Sequence, residues 1–377
     1  MTADGKNNDL DFLGQSGPLS RKLELLHREV RNRYGALDRV AVVVYDAQTD
    51  LLSTFLESNG EPPALRNYQA KLAEAPALLA LRESGVGRAV ADLDHYGHAS
   101  HEHTRRLRAA GYRSSYTVPM FARGEFFGFI FHDSREPAYF QPEMLAHLDP
   151  FARLLALVVI GELSAIHTLK AATLTMRHVA NQRDSETGAH LERMARYCRL
   201  IARAVAETHD LSDEYIEDLF LFAPLHDIGK IAIPDSILLK PGALTAEEFG
   251  IMCGHVAKGL ELIDLVLQEF GFTGLAHIEV LRNLIFSHHE NFDGSGYPRG
   301  LKGEAIPIEA RITTVADMFD ALTSRRSYKP AWPLDVAFAE IRRQAGHKLD
   351  PVCVEALIAQ ADEVVAIQRQ FVESVYG

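Results

Sequence analysis

Five short stretches in the second half of this 377-residue chain carry side chains able to hold a metal ion. ETGAH places Glu186 and His190 four residues apart, which on a helix sets both on one face, one turn apart. LHDIGK supplies adjacent His226 and Asp227, with Lys230 one turn further on. GHVAKG supplies His255, SHHE supplies adjacent His288 and His289, and VADMFD supplies Asp317 with Asp320 one turn later. Neighbouring residues on a helix diverge by about 100°, so a His-Asp pair serves two sides of a cluster better than it serves one ion. Eight candidates (Glu186, His190, His226, Asp227, His255, His288, His289 and Asp317) exceed what one four- or six-coordinate ion uses. Nitrogen and carboxylate donors without a thiolate suit iron, manganese or zinc and disfavour calcium. Taken singly, each histidine reads as a surface or packed residue. Paired donors, each at the end of an apolar helix, do not read as solvated faces.

What must position these donors is a run of helices. RMARYCRLIARAVAETH, DEYIEDLFLFAPLHDIG, TAEEFGIMCGHVAKGLELIDLVLQEF, AHIEVLRNLIFSHH, EARITTVADMFDALTS, PLDVAFAEIRRQAG and DPVCVEALIAQADEVVAIQRQFVESV all carry helical periodicity, with Ser212, Thr245 and Asp350 as N-cap candidates. The second half is therefore expected to be all-α. Between Glu290 and Glu309 four glycines and two prolines interrupt the pattern, and a structureless loop of this length is usually functional. Gly294 and Gly296 permit tight turns and close backbone approach to a ligand.

The first half has a different period. Leu23, Leu26 and Val30 mark a first helix, RVAVVVYD and LLSTFLES a hairpin, and ALRNYQAKLAEAPALLALRESG a helix. SSYTVPMF and FFGFIFHDS flank ARGE as a second hairpin. This is an α+β domain. DHYGHASHEH holds His95, His98, His101 and His103, read as a solvated loop in preference to a metal or haem site. From about Phe151 to Gln182 breakers are few, and Val159, Leu163, Ile166, Leu169, Thr173 and Met176 keep helical spacing. A long amphipathic helix is expected there, pairing with a second copy as a parallel homodimer or packing on its own domain.

Composition sets outer limits. A 47% hydrophobic and 24% charged chain is an ordinary globular protein. A net charge of -12 argues against a general DNA or RNA binder, though not against a small anion in a local basic pocket. Cys198, Cys253 and Cys353 are scattered, as expected of thiols in a reducing cytoplasm. The stretch MTADGKNNDLDFLGQSG has no apolar run, and the most apolar later run, Leu154 to Gly161, is too short to span a bilayer. No membrane association and a cytoplasmic location are the expectations.

GYRSSYTVPMFARGEFFGFIFHDS resembles the closing strands of a GAF domain, a small-molecule sensor or dimerisation module, whose ligand here is unknown. RDSETGAH, HDIGK, the later His255, HHENFDGSGYPRGLKGEAIP and ARITTVADMFDALTSRRSYKP resemble the HD-GYP family, a branch of the HD phosphohydrolases. The resemblance implies an N-terminal GAF-like sensor domain followed by an all-α, metal-dependent phosphodiesterase domain that cleaves cyclic di-GMP. The segments would be a flexible 1–19, a sensor 20–160, a connecting signalling helix 161–182 and a catalytic domain 183–377. It implies that the eight candidates are the ligands, with Asp227 bridging, and that Glu186 goes with three ions rather than two. Iron is the implied metal and manganese its alternative. Arg326 and Lys329 match positions that contact cyclic di-GMP, and two cations suit its two phosphates. Tyr297 is placed to stack on guanine or bond a phosphate, and Asp320 to touch substrate or support the ligands. Lys230 is placed to neutralise the phosphate or assist the leaving group, its alternative being a helix-surface lysine. Clustered metals acidify water and clamp phosphate oxygens, so the expected reaction is hydrolysis of cyclic di-GMP to linear pGpG, with further hydrolysis to GMP left open. The alternatives are a non-enzymatic cyclic di-GMP or protein-binding module and a hydrolase of another cyclic dinucleotide. Phe292, Ser327 and Leu349 depart from the family's usual tryptophan, proline and phenylalanine, which puts substrate positioning in doubt rather than chemistry.

Overall fold

The structure is a computed structural model describing residues 17–59, 65–95, 102–180, 188–272, 274–324 and 331–372. The chain divides into two compact units, Met1–Ser164 and Ala165–Gly377.

The first unit is built on a six-stranded antiparallel sheet in the order β3-β2-β1-β6-β5-β4. Its strands are β1 (Arg39–Asp46), β2 (Leu51–Ser58), β3 (Gln69–Lys71), β4 (Arg88–Val90), β5 (Ser114–Ala122) and β6 (Glu125–Ser134). Both expected hairpins form. The β5–β6 turn sits on Arg123 and Gly124, both at positive φ, which matches the twist of the strands it joins. Arg39 and Asp133 stand opposite each other across β1 and β6, and the buried guanidinium also holds Glu57. α1 (Leu19–Tyr34) buries Leu23, Leu26 and Val30, the expected face. The stretch ALRNYQAKLAEAPALLALRESG is not one helix. β3 occupies Gln69–Lys71, and α2 begins only at Pro76 and ends at Ser84. Proline at the first turn sets that start, because its missing N–H is one a helix leaves unbonded anyway.

α3 (Glu102–Ala109) corrects part of the histidine-loop reading. His103 lies on this helix, 5.1 Å from the Phe131 ring, and lines a cavity with Leu78, Arg88, Leu107 and Thr117. His95 does sit exposed, its Nδ1 3.0 Å from Asp92. His98 and His101 lie outside the described residues.

α4 runs from Pro142 to Ala180 and carries Pro150 inside it, starting earlier than the breaker-free stretch near Phe151 indicates. A proline removes one helical hydrogen bond but keeps a helical φ, so the periodicity on either side decides. Val159, Leu163, Ile166, Leu169 and Thr173 are buried as their spacing requires. By length and composition alone, Pro142–Thr173 is apolar enough to cross a membrane, which the eight-residue run inside it did not reveal.

The second unit is helical among its described residues. α5 (Gly188–His209) is its central helix, flanked by α6 (Asp213–Phe222), α11 (Ile308–Thr323) and α13 (Pro351–Ile358). α7 (Asp235–Leu238), α8 (Ala246–Cys253), α9 (His255–Glu269), α10 (Ile278–Ser287), α12 (Leu334–Gln344) and α14 (Ala361–Gln370) complete it. Met194, Ile201, Leu219, Leu284, Val315 and Phe319 are fully buried and form part of its core. Ser212, Thr245 and Asp350 each accept a backbone N–H at a helix start, and Thr245 forms a full capping box with Glu248.

Candidate metal centre

The described ligand candidates arrive on five segments. His190 lies in the first turn of α5. After α6 the chain tightens into two 3-10 turns, Ala223–Leu225 and Ile228–Ala232, with His226 and Asp227 between them. Gly229 lets this turn press onto α9. A Cβ there would stand 1.9 Å from the carbonyl oxygen of His255 and 2.5 Å from the amide of Gly259. The close approach sets Asp227 against His255, the first residue of α9, with Oδ1 3.1 Å from its Nε2. His288 and His289 follow the end of α10, and α11 brings Asp317 and Asp320.

Seven donors meet in two groups. Asp227, His255, His288 and His289 form one, and His190, His226 and Asp317 the other, with donor atoms in each group within 4.8 Å of one another. Asp227 faces both. Its Oδ1 lies 3.1 Å from His255 Nε2 and 3.5 Å from His288 Nε2, while its Oδ2 lies 3.2 Å from His226 Nε2. Oδ1 and the Nε2 atoms of His255 and His288 are buried and make no hydrogen bond of proper geometry. Such atoms are normally satisfied, and a cation between them would satisfy all three.

The backs of the rings are fixed. Nδ1 of His226 lies 3.0 Å from the Ala223 carbonyl, that of His255 2.8 Å from Met252, and that of His288 2.9 Å from Leu284. A carbonyl can only accept, so each Nδ1 carries the proton and each Nε2 presents its lone pair inward. Burial lowers the pKa of His288 and pushes that of His289 well below the ordinary value, which keeps both neutral. Burial alone would raise the pKa of Asp227, but Lys230, His226 and His255 together hold it well below the carboxylate range. These are the protonation states metal ligands need. The donor set and its geometry fit divalent ions.

Asp320, expected either to touch substrate or to support the ligands, is 0% exposed and turned behind His190, the supporting place. Its Oδ2 lies 2.8 Å from His190 Nδ1, and Arg193 donates to both its oxygens, from Nε to Oδ1 at 2.7 Å and from Nη2 to Oδ2 at 2.8 Å. Burial works against its charge, but the bonds from Arg193 and His190 bring its pKa down. Lys230 is not a free helix-surface lysine, since its Nζ is 2.6 Å from Asp227 Oδ2. Tyr297 stacks on His289, ring centroids 4.8 Å apart. Glu186, Arg326 and Lys329, with Ser327, lie outside the described residues.

Two residues that organise the site escaped the sequence reading. Arg193 carries no motif of its own, and only its position one turn after His190 hints at a shared partner. Glu290 directly follows the His-His pair, and its buried carboxylate accepts the amides of Arg299 at 2.8 Å and Leu301 at 2.9 Å. It thereby folds the following loop back onto the site. A further grouping, Glu214, Asp218 and His277, lies apart from the centre; there His277 Nδ1 bonds Asp218 Oδ2 at 2.7 Å.

Family models sharpen the class. One described as HD domain matches residues 176–353, and one described as GAF domain matches residues 18–159. The chain carries an α+β GAF domain followed by a mostly helical HD domain. Over 214 residues it is 44% identical to the "Cyclic di-GMP phosphodiesterase response regulator RpfG" of Xanthomonas campestris, covering 56% of this chain and 54% of that one. It is 41% identical over 208 residues to a "Cyclic di-GMP phosphodiesterase" of Vibrio cholerae, covering 54% of this chain and 42% of that one. It is 39% identical over 201 residues to the "3'3'-cGAMP-specific phosphodiesterase 2" of the same organism, covering 53% of this chain and 36% of that one. The chain thus spans about half or less of the length of these curated relatives.

Proposed function

We propose that this chain is a metal-dependent phosphodiesterase that hydrolyses cyclic di-GMP to linear pGpG, with GMP as the alternative end product, under control of its GAF domain. The observation that carries the reading is Asp227, whose two carboxylate oxygens face two separate groups of buried histidines. That is the disposition of a carboxylate bridging two ions. The names of the relatives supply the substrate class.

Bound there, divalent ions would supply Lewis-acid polarisation of the phosphate and acidification of water. His255, His288, His289 and Asp227 would hold one ion, and His190, His226, Asp317 and Asp227 the other, with Glu186 assigned to a third. Iron is the preferred metal and manganese the alternative, on the nitrogen-oxygen donor set. Asp320 holds the Nδ1 side of the His190 ring, so that Nε2 would be able to hold an ion. Lys230, beside Asp227, is placed to neutralise charge on the phosphate or leaving oxygen. Arg326 and Lys329 are assigned to the two phosphates, and Tyr297 to the substrate face above His289.

We further assign the protein to the cytoplasm and to a homodimer through α4, where Leu157 is 65% exposed and Leu154 lies one turn before it. Light scattering that finds only monomer across micromolar concentrations overturns the dimer. Hydrolysis of a mixed cyclic dinucleotide is the second reading, favoured by the cGAMP-specific relative. Metal analysis of anaerobically purified protein, followed by chromatography of products from both cyclic dinucleotides, separates the readings. Asp227→Ala should lose most bound metal and lower turnover by at least about a thousandfold, as expected when Lewis-acid catalysis is removed. Wild-type turnover in that variant would sink the assignment.

A further inference from the structure

We propose that Phe249 is a base-binding residue of this site, taking the face of a guanine beside Tyr297. This rests on the reading of the centre as a cyclic-dinucleotide phosphodiesterase.

α8 is an eight-residue helix with no buried side chain, yet it carries Phe249 and Ile251. A single exposed phenylalanine needs no explanation by itself. Its position does. Phe249 is 53% exposed, and its ring meets Tyr297 edge to face at a centroid distance of 6.2 Å and an interplanar angle of 84°. Tyr297 in turn stacks on His289 and meets His255 edge-on at 6.4 Å, both members of the same donor group. One turn after Phe249, on the same face of α8, Cys253 is close enough to act on the Tyr297 hydroxyl. α8 and the loop thus hold an aromatic pair at the rim of the metal centre, with a large part of the Phe249 ring still open to solvent.

A phosphodiester seated at the ions carries its bases outward, one ribose away from the phosphate. A purine face is the group that an exposed aromatic ring at that rim recognises, and such stacking is tolerant of register because it uses no directed hydrogen bond. Phe249 would then supply affinity for the base and leave the chemistry to the ligands.

Equilibrium binding to the metal-loaded full chain tests this without reference to turnover, with guanosine 5′-monophosphate and ribose 5-phosphate as probes. The two share the phosphate and differ in the base. Wild-type protein should bind the nucleotide about tenfold more tightly, in line with the loss of one stacked base. Phe249→Ala and Phe249→Leu should both bring the two affinities together, and Phe249→Trp should restore the gap. Ile251→Ala, on the same helix but away from Tyr297, should keep it. A wild-type protein that binds both probes equally, or a Phe249→Ala protein that retains the tenfold preference, overturns the proposal. Failure of the parent reading shows separately, as a wild-type protein that prefers the nucleotide but leaves cyclic di-GMP uncleaved.

Discussion

At the scale of single residues, the centre depends on groups that never need touch an ion. His190 can present Nε2 only while something holds its Nδ1, and that something is Asp320, itself clamped by Arg193 and by the Ser324 hydroxyl 2.8 Å from Oδ2. Removing such an outer partner typically weakens metal binding about 10- to 100-fold. Asp320→Asn should therefore reduce affinity for one ion by that amount while the ion held by His255, His288 and His289 stays. Metal titration monitored by calorimetry resolves the two, and equal loss of both would refute the division into two groups. Arg193 was invisible beforehand because nothing in a helical arginine announces a carboxylate 127 residues away.

Among the elements, the loop after His289 shows how a glycine-rich segment becomes rigid. Glu290 holds its far arm, Phe292 and Asp293 donate to the carbonyls of Lys348 and His347, and the Tyr297 amide returns to the His289 carbonyl at 3.1 Å. By sequence, Gly296 permits a tight turn and close backbone approach to a ligand. What it approaches is its own chain, since a Cβ there would lie 2.2 Å from the amide of Asn291 and 2.4 Å from the carbonyl of His289. The smallest residue is needed for the loop to fold onto itself. Glu290→Ala leaves two amides without their partner, a loss of about 1–3 kcal/mol for each one left buried. It should speed hydrogen exchange at Arg299 and Leu301 and lower the melting point of the HD domain. Unchanged exchange at both amides would show that the loop is held by its other bonds.

At the scale of the whole molecule, the two domains are stabilised by different chemistry. The GAF domain buries His132 against Tyr116, and burial, with His27 nearby, pushes its pKa down to about 4. The unfolded chain takes up that proton near 6.5, so the stabilising difference is fully present above pH 6.5. It is lost as pH falls towards 4, and amounts to on the order of 3 kcal/mol. The depressed pKa of His27 adds in the same direction. Denaturant titration of the GAF transition between pH 7 and 4 should show stability falling with about one to two protons bound on unfolding. His132→Leu should flatten that slope, and a slope identical to wild type would show that other groups set it. The HD domain instead gathers its candidate donors from several helices, with neutral histidines around Asp227.

The sequence by itself determined the kinds of domain and the kinds of donor. Period-two and period-3.6 patterns separate sheet from helix because burial on one face imposes them, and His-Asp and His-His pairs survive as local spacing. It also laid out the hairpins and the buried face of α4. It misjudged the region around β3 and α2, where a short strand precedes a proline-started helix and both are too brief to show a period. Only the tertiary structure decided that Asp227 turns one oxygen to each histidine group, that Asp320 stands behind His190, that His103 lines a cavity and that Phe249 meets Tyr297. Each of these joins segments distant in sequence, and such meetings are fixed by how the buried faces of helices and strands pack, which no local pattern records.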